Sequence, residues 1–130
     1  MSIKLPYSVL IADDDASCRE SLKALLEGEG MRIYLAETGA QALDFATEVP
    51  LHMAILDQYM PGLTGVETLR RIVEIKSQIP SIIMSGEFTK ETKLQAMDAG
   101  AFACISKPIQ TAILRHAVQQ MIDRYYPNAT

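Results

Sequence analysis

Short apolar runs alternate with longer segments of helical periodicity along this chain of 130 residues. The apolar runs predict five strands, at residues 8–12, 32–36, 53–56, 81–84 and 102–105. The periodic segments predict five helices, at residues 16–29, 40–48, 66–76, 90–99 and 110–125. Strand and helix therefore alternate five times, a pattern that favours an α/β fold with a parallel sheet.

Four of these strands, all except the second, are apolar along both faces, as expected of parallel strands that helices cover. Because crossovers between parallel strands are right-handed, the alternation predicts a doubly wound sheet, whose ligand sites lie beyond the carboxyl ends of the strands. The last helix carries an apolar stripe that should pack on this sheet. Its members are Ile113, Leu114, Ala117, Val118, Met121 and Ile122.

Length and composition suit a single domain, residues 1–130 with a core at about 8–125, and 48% of the residues are apolar. The net charge of −4 and the lack of a basic stripe argue against direct binding of nucleic acid. No apolar run approaches the roughly 20 residues that cross a bilayer, so no membrane contact is expected. Cys18 and Cys104 are expected to be two thiols of a cytoplasmic protein, although a single disulfide between them stays open.

Polar residues follow four of the predicted strands at their carboxyl ends. They are Asp13, Asp14 and Asp15 after the first strand, Asp57 after the third, Ser85 and Gly86 after the fourth, and Lys107 after the fifth. Clustered carboxylates repel one another unless a cation joins them, and oxygen ligands favour Mg²⁺. An ammonium and a hydroxyl nearby could hold the other oxygens of a phosphoryl group. This edge therefore predicts a magnesium-dependent phosphoryl site with an aspartate as the nucleophile.

Each of these residues also has an ordinary structural explanation. The three aspartates at 13–15 could cap the helix that follows, and Asp15 is the best candidate for a pure cap. Asp57 could form a turn ahead of Pro61 and Gly62. Their joint occurrence at four strand ends favours a shared site, because the structural explanation must account for each residue separately.

These residues resemble the receiver domain of two-component response regulators over nearly the whole chain, from Val9 to about Met121. The motifs that carry the resemblance are Asp13-Asp14, the D-x-x-M-P-x-x-x-G pattern from Asp57 to Gly65, Ser85-Gly86, Ala99-Gly100-Ala101 and Lys107-Pro108. The resemblance implies a flavodoxin-like (βα)5 fold with strand order 2-1-3-4-5. It also implies a phosphorylation-activated signalling switch and not a turnover enzyme.

The resemblance assigns Asp57 as the phosphoacceptor, which takes a phosphoryl group from a sensor histidine kinase or a phosphotransfer protein. Asp14, Asp57 and the main-chain carbonyl of Tyr59 would bind Mg²⁺ directly. Asp13 would help to hold the ion, through a water molecule.

The phosphoryl group itself would be bound by Lys107, by the Ser85 hydroxyl and by the Gly86 amide. The peptide bond between Lys107 and Pro108 is expected to be cis, as is usual in the family. The signal would then pass to a downstream protein, or to a fused output domain outside this chain.

Several positions depart from the usual family pattern. Cys104 stands where the family often has Tyr or Phe, so the coupled serine-and-aromatic switch is not expected in its usual form. Phe102 is expected on the same face of the strand as Cys104, as a core residue. Ala103 replaces an acidic residue that many members use in dimer salt bridges, which argues against that dimer. Tyr59 is bulky beside Asp57 and is expected to hinder attack by water.

Other functions stay open at this point. Asp13 and Asp15 after an apolar strand resemble the start of a haloacid-dehalogenase-type phosphatase, but no acidic pair follows Lys107 and Asp57 would have no role. A receiver-like binding module that is never phosphorylated would be expected to lack site residues, and none is missing. The chain could also be a receiver detached from a longer regulator.

Overall fold

The computed structural model describes residues 6–76 and 79–127, which form five strands and five helices in alternation. The strands are β1 (Ser8–Ala12), β2 (Arg32–Ala36), β3 (Met53–Asp57), β4 (Ser81–Ser85) and β5 (Ala103–Ser106). The helices are α1 (Ala16–Gly28), α2 (Gly39–Glu48), α3 (Gly65–Ile75), α4 (Lys90–Asp98) and α5 (Thr111–Tyr125). All strand pairs are parallel, in the order β2-β1-β3-β4-β5, so the predicted doubly wound sheet and its strand order are confirmed.

The sheet separates two apolar clusters. On one face, α1 and α5 pack against alternate strand residues such as Ile11 and Ile55. On the other face, α2, α3 and α4 cover their neighbours, such as Leu10 and Leu56. Every residue of β1, β3 and β4 is buried, as predicted, whereas the edge strand β5 has one buried, two partly buried and one exposed residue. The expectation of full coverage was therefore wrong for β5, which has a hydrogen-bonded neighbour on one side only.

Two expected core positions differ in the structure. Ile113 is 48% exposed, because Leu114 takes the inward direction on α5 and adjacent helical residues point about 100° apart. Phe102 precedes β5 and packs with the cluster of α1 and α5, whereas Cys104 packs with the cluster of α2, α3 and α4. The predicted shared face of these two residues is wrong, because the alternation applies only inside the strand.

Side-chain caps fix the starts of two helices that flank the predicted site. The Asp15 carboxylate accepts the Ser17 N–H at 3.0 Å, so its predicted role as a helix cap is confirmed. At α3, Thr64 and Glu67 form a reciprocal capping box. Across the described ranges, no helix has the length and apolar character that spanning a membrane requires.

Candidate functional site

The carboxyl ends of β1, β3 and β5 bring four charged side chains together. One carboxylate oxygen from each of Asp13, Asp14 and Asp57 lies within 4.8 Å of the other two. The Lys107 ammonium lies 2.7 Å from Asp13 Oδ2 and 3.3 Å from Asp57 Oδ2. Asp13 is fully buried and Asp57 nearly so, while Asp14 is exposed. We call this place, with Ser85 at the end of β4, the carboxyl edge.

Strand register explains why Asp13 and Asp57 meet. Ala12 pairs with Leu56 at the end of neighbouring parallel strands, so the next residue on each strand is an aspartate at the same edge. The Asp13 N–H donates to the Ala36 carbonyl at 3.1 Å, which extends the pairing with β2 by one residue. Asp57 is the last residue of β3, one position beyond the predicted end of that strand.

Gly65 allows α3 to begin against the main chain of Asp57. A Cβ atom at Gly65 would lie 2.5 Å from the Asp57 carbonyl oxygen, a distance that real Cβ atoms do not show. The glycine in the D-x-x-M-P-x-x-x-G pattern is therefore required by this close approach. A larger residue would displace either α3 or the aspartate.

Burial and like charge make Asp57 reluctant to ionise. Burial is the largest cause that raises the pKa of Asp57, to about 6, and the negative charge of Asp13 adds to it. The Lys107 ammonium opposes this rise without cancelling it. In the absence of a further cation, the edge is therefore short of positive charge.

Asp13 behaves in the opposite way, although burial alone would raise its pKa. Hydrogen bonds from Cys18 and Lys107 and the charge of Lys107 lower the pKa of Asp13 below its usual value. Burial also acts against the charged form of Lys107, but Asp13 and Asp57 raise the pKa of its ammonium. Asp13 and Lys107 therefore form a stable ion pair, and Asp57 is the carboxylate left in need of a cation.

The donor set fits Mg²⁺. Three carboxylates, two from the loop after β1 and one from the end of β3, supply hard oxygen ligands, and Mg²⁺ uses one or two of these while keeping several waters. The exposure of Asp14 leaves one side of the cluster open to those waters and to a phosphoryl oxygen. A divalent cation here would also relieve the repulsion between Asp13 and Asp57.

The structure places the remaining predicted residues around this cluster. Ser85 ends β4 and is buried, and its hydroxyl donates to the Glu87 carbonyl at 3.0 Å and accepts the Glu87 N–H at 3.2 Å. Gly86 is exposed directly after it. The Lys107–Pro108 peptide bond is cis, as expected. Tyr59 lies in the connection between β3 and α3, with its side chain exposed.

Three residues of the site were missed by the sequence analysis. The Arg19 guanidinium donates to the Asp13 carbonyl at 2.7 Å and lies 3.5 Å from Glu37. Cys18 donates to the Asp13 carboxylate, and burial, helped by this bond, raises the pKa of the Cys18 thiol to about 12. Gln58 is a buried polar residue next to Asp57. The only signal for Arg19 and Cys18 was their place in the first turn of the helix after Asp15.

Both cysteines are free and half-buried, as expected. They lie on opposite faces of the sheet, Cys18 with the cluster of α1 and α5 and Cys104 with the cluster of α2, α3 and α4. A disulfide between them within this fold is therefore excluded by the sheet itself.

The family model for the response regulator receiver domain matches residues 9–119. The chain belongs to this family. Its relatives include response regulator RR06 of Streptococcus pneumoniae, 33% identical over 92% of this chain and 54% of that protein. Transcriptional regulatory protein FixJ of Rhizobium meliloti is 32% identical over 88% of this chain and 56% of its own length. The chain thus spans about half the length of these relatives.

Solved structures agree with this assignment. The CheY-like response regulator receiver domain protein from Methanospirillum hungatei matches with a TM-score of 0.91 and 26% identity, over 95% of this chain and 98% of that one. A response regulator receiver domain protein from Clostridium thermocellum matches with a TM-score of 0.85 and 30% identity, over 91% and 95%. Receiver domains are parts of two-component systems, bind Mg²⁺ at an aspartate cluster and are typically not turnover enzymes.

Proposed function

We propose that this chain is a phosphorylation-activated switch in which Asp57 accepts a phosphoryl group from a histidine kinase or a phosphotransfer protein. One observation carries the proposal: Asp57 is a buried carboxylate within 4.8 Å of two others, with the Lys107 ammonium 3.3 Å away. Such an arrangement is costly for stability, and it is useful where a further cation and a dianion must bind together.

In the proposed reaction, a carboxylate oxygen of Asp57 attacks the phosphorus of a phosphohistidine. The new O–P bond forms as the P–N bond breaks, and the electron pair of that bond leaves with the imidazole of the donor. Asp14, Asp57 and the Tyr59 carbonyl would hold Mg²⁺, with Asp13 acting through water. Bound there, Mg²⁺ supplies positive charge to the phosphoryl oxygens.

Lys107 and Ser85 would stabilise the product. The Lys107 ammonium lies between Asp13 and Asp57, so a short movement would bring it to a phosphoryl oxygen on Asp57. The Ser85 hydroxyl would leave Glu87 to donate to a second oxygen, and the Gly86 amide would donate to a third. Loss of the hydrogen bonds to Glu87 would let the connection between β4 and α4 change conformation. Phosphorylation at the site could in this way alter the protein surface.

A cleft of about 550 Å³ beside the site offers a place for the donor protein. It lies between α1 and the connection from β5 to α5, and Leu22, Leu25, Pro108 and Ile109 give it an apolar lining. Lys107 reaches both this cleft and Asp57. A donor helix seated there would present its phosphohistidine next to the acidic cluster.

The signal would reach a downstream protein or a fused output domain, and we propose that this chain itself forms one domain that binds neither nucleic acid nor membrane. We also propose a cytoplasmic location, where a histidine kinase partner would act. The phosphatase alternative gains no support, because the Asp15 carboxylate that would act as its acid or base caps α1.

Labelling by acetyl phosphate tests the proposal. We expect Mg²⁺-dependent incorporation of one phosphoryl group, detected by intact mass, and its complete loss in Asp57→Asn. Asp15→Asn is the matched control, because Asp15 is exposed in the loop after β1, next to Asp14, and should remain dispensable for labelling. Labelling that persists in Asp57→Asn, or that is lost in Asp15→Asn alone, would refute the assignment of Asp57.

A further inference from the structure

Gln58, the residue after Asp57, is a buried polar side chain with no part in the mechanism above. It is only 6% exposed, although glutamine usually lies at the surface. A buried amide is stable only where hydrogen bonds replace its contacts with water. The partners of Gln58 therefore show what the residue does.

Three hydrogen bonds hold Gln58 between β4 and α3. Its N–H donates to the Met84 carbonyl of β4 at 2.8 Å, and its carbonyl accepts the Gly65 N–H at 3.0 Å. Its side-chain Oε1 accepts the Val66 N–H at 2.9 Å, in a fully buried contact. Main chain and side chain of one residue thus bind the first two amides of α3.

These bonds complete the amino terminus of α3, where four N–H groups lack partners within the helix. The capping box supplies two of the acceptors, because Glu67 accepts the Thr64 N–H and the Thr64 hydroxyl accepts the Glu67 N–H. Gln58 supplies the other two. The helix start is therefore shared between a local cap at Thr64 and a residue that sits inside the candidate site.

The two sets of bonds differ in what else they constrain. Thr64 and Glu67 belong to the helix start itself, whereas Gln58 stands between Asp57 and Tyr59 in the chain. Fixing Gln58 against both β4 and α3 restricts the main-chain torsions that orient the Asp57 carboxylate and the Tyr59 carbonyl. The close contact of Gly65 with the Asp57 carbonyl makes this region intolerant of small shifts.

We propose that Gln58 is a positioning residue for the phosphoryl site. Its side-chain amide clamps the start of α3 to the end of β3, and so holds the Asp57 carboxylate and the Tyr59 carbonyl in the mutual orientation that binds a divalent cation. This inference rests on the proposed function, because it takes Asp57 and Tyr59 as the metal ligands.

Calorimetric titration of the unphosphorylated protein with Mg²⁺ tests this role without relying on activity. Gln58→Met keeps the length of the side chain and removes the acceptor, and Thr64→Val does the same at the local cap. We expect both variants to lower the melting temperature, because each leaves an amide of α3 without its acceptor. Only Gln58→Met should weaken Mg²⁺ binding, by about tenfold, as is usual when a residue that orients metal ligands is lost.

Two further variants keep the test decisive. Gln58→Glu retains an acceptor oxygen for the Val66 N–H and should bind Mg²⁺ at least as tightly as the wild type. If Gln58→Met does not fold, Gln58→Asn, whose amide is one methylene too short, is measured in its place and should also bind more weakly. Wild-type Mg²⁺ affinity in the folded Met or Asn variant would overturn the positioning role and leave Gln58 as a helix cap like Thr64.

Asp57→Asn separates failure of this inference from failure of the proposed function. If the wild type and Asp57→Asn bind Mg²⁺ equally, the proposed metal site is itself wrong. If Asp57→Asn abolishes binding but Gln58→Met leaves it unchanged, the metal site stands and only the role of Gln58 is wrong.

Discussion

The two ends of β3 use polar groups in opposite ways. At its carboxyl end, Asp57 lies buried beside Asp13, and burial raises its pKa to about 6. At its amino end, His52 precedes the strand and is enclosed by Tyr7 and Tyr126, a group that we call the amino edge. Burial lowers the pKa of His52, so the neutral form is favoured there. The carboxyl edge thus holds excess negative charge, whereas burial at the amino edge disfavours a charged histidine.

Hydrogen bonding explains the difference. His52 Nδ1 accepts the Ser8 N–H at 3.0 Å. The main-chain N–H of His52 donates to the Ser8 carbonyl at 2.8 Å, and its main-chain carbonyl accepts the Tyr126 hydroxyl at 2.7 Å. Only the first of these bonds involves the ring, and it requires an unprotonated Nδ1, as in the neutral imidazole. At the carboxyl edge, one ammonium serves two carboxylates, so Asp57 lacks full compensation. The amino edge therefore carries no net charge while its histidine is neutral, whereas the carboxyl edge keeps a negative charge that only a further cation would balance.

The largest expected effect comes from removing the charge of Asp57. Because its pKa is raised in the folded state, the stability linked to Asp57 is present below a pH of about 4 and lost as the pH rises through about 6. Asp57→Asn should therefore raise the free energy of unfolding by about 2 kcal/mol at pH 7 without Mg²⁺. Urea denaturation at pH 4.5 and pH 7 measures this.

Asp44→Asn on the exposed face of α2 is the control for that measurement, and it should leave stability unchanged at both pH values. Mg²⁺ should narrow the difference between the wild type and Asp57→Asn, because the cation compensates the charge in the wild type alone. A less stable Asp57→Asn at pH 7 would show that the carboxyl edge is not strained by its charge.

The amino edge should show the opposite pH dependence. The pKa of His52 is lowered by burial, so its contribution is present above the unfolded value near 6.5 and lost as the pH falls below it. Protonation also removes the acceptor for the Ser8 N–H, at a cost of about 1 kcal/mol. We expect wild-type stability to fall between pH 7.5 and pH 5.5 by more than that of His52→Gln.

His116 offers a matched control, because it is exposed on α5. His116→Gln should keep the full wild-type dependence on pH between 7.5 and 5.5. If both histidine variants reduce the fall in stability between pH 7.5 and 5.5 by the same amount, that fall does not come from protonation of His52.

The contrast between the edges was only half visible in the sequence. Asp13, Asp57, Ser85 and Lys107 could be predicted together, because parallel strands end at one edge and the apolar runs show where they end. The roles of Arg19 and Gln58 could not, because each acts by a side-chain hydrogen bond to main chain, which depends on loop geometry.

A small shift in an element bound accounts for the wrong prediction about Phe102 and Cys104. β5 begins one residue later than predicted, which leaves Phe102 outside the strand and free to pack on the opposite face from Cys104. Because side chains alternate along a strand, an error of one residue reverses the face. That Cys104 prevents the coupled serine-and-aromatic switch from working in its usual form stays a prediction. The serine of that switch, Ser85, donates its hydroxyl to the Glu87 carbonyl in the structure.

The smallest expected effect concerns the tyrosines of the two edges. Tyr7 is buried at the amino edge, whereas Tyr59, two residues after Asp57, is 57% exposed. Exposure of a large ring at that place suits shielding of the proposed aspartyl phosphate from water. Tyr59→Asn should lose its phosphoryl group about threefold faster, equivalent to about 0.7 kcal/mol in the barrier.

Tyr59→Phe keeps the ring and should retain the wild-type lifetime of the phosphorylated protein, measured by acid quench after donor removal. If Tyr59→Asn dephosphorylates at the wild-type rate, the ring does not shield the site.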